Sequence, residues 1–181
     1  MNLQITSRYA SQCAVSRSTT LTYLQGARFH SSRAQYRQLE VERKFLATKS
    51  AIEYLRSNGG DSSFKAHKTI GRKTAHDIYY DRNDQLFSKG IYIRQRNGNW
   101  EAKVRVDGDF INSAFTEVEG YMAVKEAVKH HLAGATEGLR IEGVLKPCAE
   151  FVTERESWVV EGRFKVDVDT TDFGHTVGEV D

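Results

Sequence analysis

The sequence predicts a β-dominated α+β fold, in which about seven or eight short antiparallel strands form a barrel or a sandwich and two helices lie outside it. Three observations predict this. From Leu39 onward, apolar and polar residues alternate with a period of two, which is the spacing of strands. Tight-turn residues separate these segments at Asn97-Gly98-Asn99, Asp107-Gly108-Asp109 and Glu161-Gly162. Such turns join antiparallel neighbours. Only two segments change to helical spacing.

The elements follow in order. "LEVERKFL" (39–46) reads as the first strand. "TKSAIEYLRSNGG" sets Ala51, Ile52 and Leu55 on one helical face, and Asn58-Gly59-Gly60 stops the helix. Residues 64–81 read as strand material broken near Gly71 and ending in the β-favouring Ile78-Tyr79-Tyr80. "IYIRQR" (91–96), "WEAKVRV" (100–106) and "INSAFTEVE" (111–119) are strands joined by the first two turns. "YMAVKEAVKHHL" (121–132) is the second helix, on which His130 and His131 are read as solvated. "EFVTERESWVV" (150–160) and "RFKVDVDTTDF" (163–173) form another hairpin, and "TVGEVD" (176–181) begins a last strand. The single proline, Pro147, fits a loop before these strands.

Composition bounds the function. A chain of 181 residues holds one domain plus some extra, and a net charge of +2 exerts no strong pull toward nucleic acid. No apolar run approaches the ~20 residues a membrane-spanning helix needs. Cys13 and Cys148 form neither a disulfide framework nor a metal ligand set. The charge is unevenly placed: residues 1–39 contain five Arg and no Lys, Asp or Glu, which leaves 21 basic against 24 acidic residues in the remainder. A Ser-, Thr- and Arg-rich leader without acids (residues 1–38) has the marks of a mitochondrial presequence, and "ARFHSS" is similar to a matrix-protease processing site. The expectation is a matrix protein, otherwise cytoplasmic, and a monomer.

Nearly every strand carries one charged row. Residues i, i+2 and i+4 of a strand share a face. Glu40, Glu42 and Lys44 therefore align, as do Tyr92, Arg94 and Arg96, then Glu101, Lys103 and Arg105, then Glu117 and Glu119. Lys165, Asp167 and Asp169 align opposite Phe164, Val166 and Val168, and Glu179 aligns with Asp181. The rows face either solvent or the inside of a barrel, and their segregation by sign favours the inside. Like charges ~7 Å apart repel by roughly 2 kcal/mol at an effective dielectric near 20, and solvated surfaces avoid this by mixing signs. A pocket for a polyanion and a metal requires it. Arg and Lys grip phosphate oxygens, while clustered carboxylates hold Mg²⁺ or Mn²⁺.

"EVERK" resembles the ExExK signature of the CYTH, or triphosphate tunnel metalloenzyme, superfamily. "YYD", "IRQR", "WEAK", "FVTER" and "VDVDTTDFGHTVGEVD" follow in that family's order, and the set is similar to its thiamine-triphosphatase-like branch. The resemblance covers about residues 39–181. It implies a closed antiparallel eight-stranded tunnel that binds a small-molecule triphosphate and a divalent metal, Mg²⁺ or Mn²⁺. It also implies a domain truncated at Asp181, where the family continues into a helical segment carrying a further substrate-binding lysine.

By matching motifs, Glu40, Glu42, Asp167, Glu179 and Asp181 are implied as metal ligands. The acid of "TEVE" is ambiguous by a residue or two, with Glu119 preferred. Lys44 is implied to contact substrate and orient the attacking water, paired with Tyr79. Arg94, Arg96, Lys103 and Arg155 are implied as triphosphate-gripping cations, with Asp169 beside the acids. Tyr92 stands where the thiamine-specific branch carries a tryptophan, so its aromatic face is implied to read the organic end. Three functions stay open: hydrolysis of thiamine triphosphate, hydrolysis of an inorganic or nucleoside triphosphate on the same tunnel, and an inactive phosphate-binding module. A cyclase would need a nucleoside pocket that the sequence does not display.

Overall fold

The structure is a computed structural model that describes residues 38–60, 62–132 and 140–181. The presequence reading covers residues 1–38, of which 1–37, with Cys13, lie outside the described residues, while Gln38 opens the first strand. Eight strands run β1 (Gln38–Phe45), β2 (His67–Asp81), β3 (Ile91–Arg96), β4 (Asn99–Gly108), β5 (Asn112–Glu119), β6 (Lys146–Val160), β7 (Phe164–Thr171) and β8 (Thr176–Val180). They close into an antiparallel barrel in the order β1-β5-β4-β3-β2-β6-β7-β8. β1 closes the ring, pairing with β5 over Gln38–Arg43 and with β8 over Arg43–Phe45. Helix α1 (Lys49–Ser57), helix α2 (Tyr121–His131) and the one-turn α3 (Ile141–Val144) lie between strands in sequence.

Local chemistry explains the punctuation. Asn97 and Gly98 both take the left-handed conformation (φ 50° and 81°), which suits the twist of a two-residue hairpin between β3 and β4. Thr48 caps α1 by accepting from the Ala51 amide at 3.1 Å, and Asn58 ends it at φ 48°. Pro147 departs from its expected loop position: it is the second residue of β6, opposite Tyr80. Proline cannot donate to a ladder and is tolerated at strand starts and bulges. Here the pairing skips Cys148 between Tyr79↔Ala149 and Tyr80↔Pro147, which relieves the missing donor.

The apolar rows point outward; those of β3, β4, β6 and β7 are largely covered there, while Leu39 and Val41 of β1 stay exposed. α2, α3 and the segment around Leu86 pack Val124, Val128, Ile141 and Leu145 against Ile91, Ile93, Trp100 and Ala102 on β3 and β4. On the other side, Leu55 of α1 packs on Trp158, Val160, Val166 and Val168 of β6 and β7. With the hydrophobic core outside the barrel wall, the alternate residues must face inward. The charged rows therefore line a tunnel.

Candidate active site

The tunnel encloses a cavity of about 350 Å³. β1 contributes Glu40, Glu42 and Lys44, β2 Asp77 and Tyr79, and β3 Tyr92, Arg94 and Arg96. β4 adds Glu101, Lys103 and Arg105, and β5 adds Glu117 and Glu119. β6 supplies Arg155, β7 Asp169 and β8 Glu179. Each sits one residue from an outward-facing neighbour, so the period of two places all of them inside. Asp167 and Asp181 flank the cavity. Asp167 is 1% exposed and accepts from Arg155 at 2.7 Å, while Asp181 lies beside the Glu40 and Glu42 carboxylates.

Most of the cations are held by carboxylates on neighbouring strands. Arg96 donates through Nε and one Nη to both oxygens of Asp77 at 2.8 and 2.7 Å. Arg94 pairs with Glu101 at 2.7 Å and donates to the Tyr79 hydroxyl at 3.2 Å. Arg155 forks onto Asp169 at 2.7 and 2.6 Å. Lys103 meets Glu117 at 2.7 Å and Glu42 at 3.5 Å, and also pairs with Glu40. Lys44 pairs with Glu42 and, at 2.9 Å, with Glu179.

These pairs set the protonation states. Burial works to lower the Lys44 ammonium, but Glu179 and Glu42 outweigh it and hold its pKa above the ordinary lysine value. Lys44 is therefore a donor and a cation near neutral pH, able to orient water and unable to act as a base. Burial works to raise Glu179, and Lys44, Lys103 and Arg155 outweigh it, keeping the carboxylate ionised. Burial pushes the Tyr92 phenol up against the pull of Arg105 and Lys44.

The acids fit a hard divalent cation. Eight carboxylates and six Lys or Arg side chains line the cavity, a formal excess of two negative charges before any polyanion enters. Glu40, Glu42 and Asp181 bring carboxylate oxygens within 4.8 Å of one another. Burial and then Glu40 push the Asp181 carboxyl up to about 6. One oxygen each of Asp167 and Asp181 is buried with no hydrogen-bond partner among the described residues. Crowded and partly unsatisfied oxygen donors are what such an ion neutralises.

Of the ambiguous acids, Glu117 is the one engaged with Lys103. Glu119 lies two residues on along the same face, exposed, at the edge of the cavity. Sequence reasoning missed Asp77, although it shares the inward row with Tyr79. It also missed an aromatic wall in which Phe151 stacks on Tyr79 (centroids 5.6 Å apart) and meets Phe173 edge-on, next to His175. Asp81 of "YYD" has a structural task. Its carboxylate accepts from the Leu86 and Phe87 amides, each at 3.0 Å, folding the loop that brings Phe87 to Tyr92.

Comparison with known proteins agrees with this geometry. The CYTH domain model matches residues 38–181. The chain is 30% identical over 166 residues to the human thiamine-triphosphatase, covering 79% of this chain and 67% of the relative. It is 32% identical over 163 residues to the thiamine-triphosphatase of Macaca fascicularis, with the same coverage. Among solved structures, an adenylyl cyclase candidate from Hippeastrum with a dominant triphosphatase activity superposes with a TM-score of 0.53 at 20% identity, over 77% of each chain. That likeness speaks for the fold. Together with the tunnel and its motifs, these matches show that the chain belongs to the CYTH domain family, in its thiamine-triphosphatase-like branch.

Proposed function

We propose that this protein hydrolyses thiamine triphosphate to thiamine diphosphate and phosphate with Mg²⁺ or Mn²⁺ bound, in the mitochondrial matrix. One observation carries the triphosphatase reading: a closed tunnel sets a cluster of carboxylates beside a row of Lys and Arg. Neutral ligands do not need such a cavity, and a simple anion site would not contain the acids. The thiamine-triphosphatase relatives support the organic group, and the acid-free leader supports the compartment.

Glu40, Glu42 and Asp181 would hold the metal, with Asp167 and Glu179 adjoining. The bound ion would neutralise phosphate charge. Arg94, Arg96, Lys103 and Arg155 grip phosphate oxygens through the N–H groups they do not spend on carboxylates. Lys44 donates to the attacking water or the terminal phosphate. Charge stabilisation and positioning carry the reaction, because a loose phosphoryl transition state needs no covalent nucleophile. Tyr92 takes the organic end, supported by Phe87 and Phe115.

Phosphate release from thiamine, inorganic and nucleoside triphosphates, measured with Mg²⁺, with Mn²⁺ and with chelator, tests the reading. Metal-dependent turnover led by thiamine triphosphate is expected. Turnover led by inorganic triphosphate would select the second reading. That reading is favoured by the Arg105 cation against Tyr92, which disfavours a positively charged thiazolium there. No release from any of the three would leave the phosphate-binding module.

A further inference from the structure

Arg105 differs from the other cations of the tunnel. It lines the cavity from β4, two residues beyond Lys103 on the same face. The other five Lys and Arg side chains lining the cavity each form at least one ion pair, whereas Arg105 forms none with the described residues. One Nη donates to the Tyr92 hydroxyl at 2.9 Å. Its guanidinium carbon lies 6.0 Å from the Tyr92 ring centroid and 5.6 Å from that of Phe115. Its Nε is buried and has no hydrogen-bond partner among the described residues. The acids that follow it in the chain, Asp107 and Asp109, are exposed and turn a carboxylate oxygen to backbone amides, Asp107 to that of Gly108 and Asp109 to those of Ile111 and Asn112. Arg105 exerts only a Coulombic pull on Asp109, without an ion-pair contact.

The surrounding backbone accommodates this side chain. Gly90 sits at φ +73°, and a Cβ there would lie 2.9 Å from the Arg105 Cβ and 3.5 Å from its Nε. Its carbonyl accepts from the Arg105 amide at 2.9 Å. Two aromatic rings, one of them carrying the phenol, and a glycine-cleared space thus hold a cation with no ion-pair partner among the described residues. A partly buried guanidinium in that state costs free energy unless an anion completes it. Lys103 lies on the same Phe115 ring, its Nζ 5.5 Å from the centroid, so Arg105 extends the cationic row toward Tyr92.

We infer that Arg105 is an anion-binding residue of the tunnel, taking a phosphoryl group of the bound polyphosphate at the Tyr92 end. Nothing in the family motifs marks this position. The inference rests on the triphosphate reading above and deepens it: it assigns the phosphoryl group nearest the organic end to Arg105, leaving the terminal group to Lys44 and the metal-binding acids.

The test is equilibrium binding by calorimetry, on the full chain with Mg²⁺, of a methylene-bridged triphosphate that cannot be hydrolysed. Arg105→Met keeps the stem and its packing but removes the charge, and should weaken binding about tenfold or more. Arg105→Lys restores the charge with a different shape, and should recover most of the affinity. A purely structural role predicts the reverse, with lysine no better than methionine. Should the methionine variant fail to fold, Arg105→Gln provides the same comparison. Wild-type affinity in the uncharged variant, or no recovery with lysine, overturns the inference while the triphosphate reading stands. Absence of triphosphate binding by the wild-type chain overturns both.

Discussion

Arg96 shows what one residue must do in this tunnel. Its Nε and one Nη are committed to Asp77, a carboxylate only 1% exposed, so the second Nη is the group left for a ligand. A lysine cannot keep the fork to Asp77 and also reach a phosphate oxygen. Arg96→Lys should therefore raise KM for every triphosphate by about tenfold or more, the effect of losing a charge-assisted hydrogen bond worth ~1.5–3 kcal/mol. Steady-state kinetics on thiamine and inorganic triphosphate check this, and a loss confined to one substrate would contradict it. The inward rows were legible in the sequence because a period of two survives in any strand, and Glu40, Glu42, Lys44, Arg94 and Lys103 all lie where it puts them. The partner of each was not legible. Asp77 meets Arg96 only because the β2–β3 register sets them opposite each other, 19 residues apart in sequence. A row of charges carries no record of which neighbouring strand it will face.

At the scale of elements, the β1–β8 seam depends on a close approach. Gly178 faces Phe45 across the pairing, and a Cβ at 178 would lie 2.2 Å from the Phe45 ring. Gly178→Ala should lower stability by about 1–3 kcal/mol, the usual cost of overpacking, and Phe45→Leu in the same chain should recover part of it. Chemical denaturation of the single and double variants measures both. Helix α1 is tied to the wall electrostatically as well as by Leu55. The Arg56 guanidinium donates to Glu156 at 2.8 Å, with Arg72 at 3.3 Å on the same carboxylate oxygen. Arg56 and then Arg72 hold the Glu156 carboxyl below its ordinary value of 4.5, with burial opposing them. A depressed acid stabilises the fold above its unfolded pKa and loses that contribution as pH falls through the folded value. Glu156→Gln should thus lower the Tm at pH 7, and the difference from wild type should shrink as pH drops below 4.5, as thermal melts across that range would show. The turns were readable because Asn97-Gly98 and Asn58 act within a few residues of themselves. Pro147 was not, because its tolerance comes from a skipped pairing with a strand that ends at Asp81.

The barrel as a whole places its charged rows inside and its hydrocarbon core outside the wall, and ion pairs between strands offset most, though not all, of the charge in the tunnel. In the proposed reaction, binding is an exchange of partners at the acid cluster: a cation would take Glu40 and Glu42, and Lys44 and Lys103, released from them, would turn to the phosphates. Glu42 is the test of that exchange. It is 3% exposed, pairs with Lys44 and Lys103, and lies in the cluster with Glu40 and Asp181. Without it, Lys44 keeps Glu179 and Lys103 keeps Glu40 and Glu117, so no buried cation is orphaned. One like charge is also removed from a crowded cluster. Glu42→Ala should therefore fold, with a Tm close to wild type in chelator. The difference should appear when the metal is added. A ligand that binds only the folded state stabilises it by about 2.7 kcal/mol at a hundred times its Kd, so Mg²⁺ or Mn²⁺ should raise the wild-type Tm in a concentration-dependent way. The same titration should leave Glu42→Ala nearly unmoved, and metal-dependent phosphate release should be lost with it. An undiminished metal shift in the variant would place the cation elsewhere. A wild type that metal does not stabilise would mean the acids serve only to hold the cations in place.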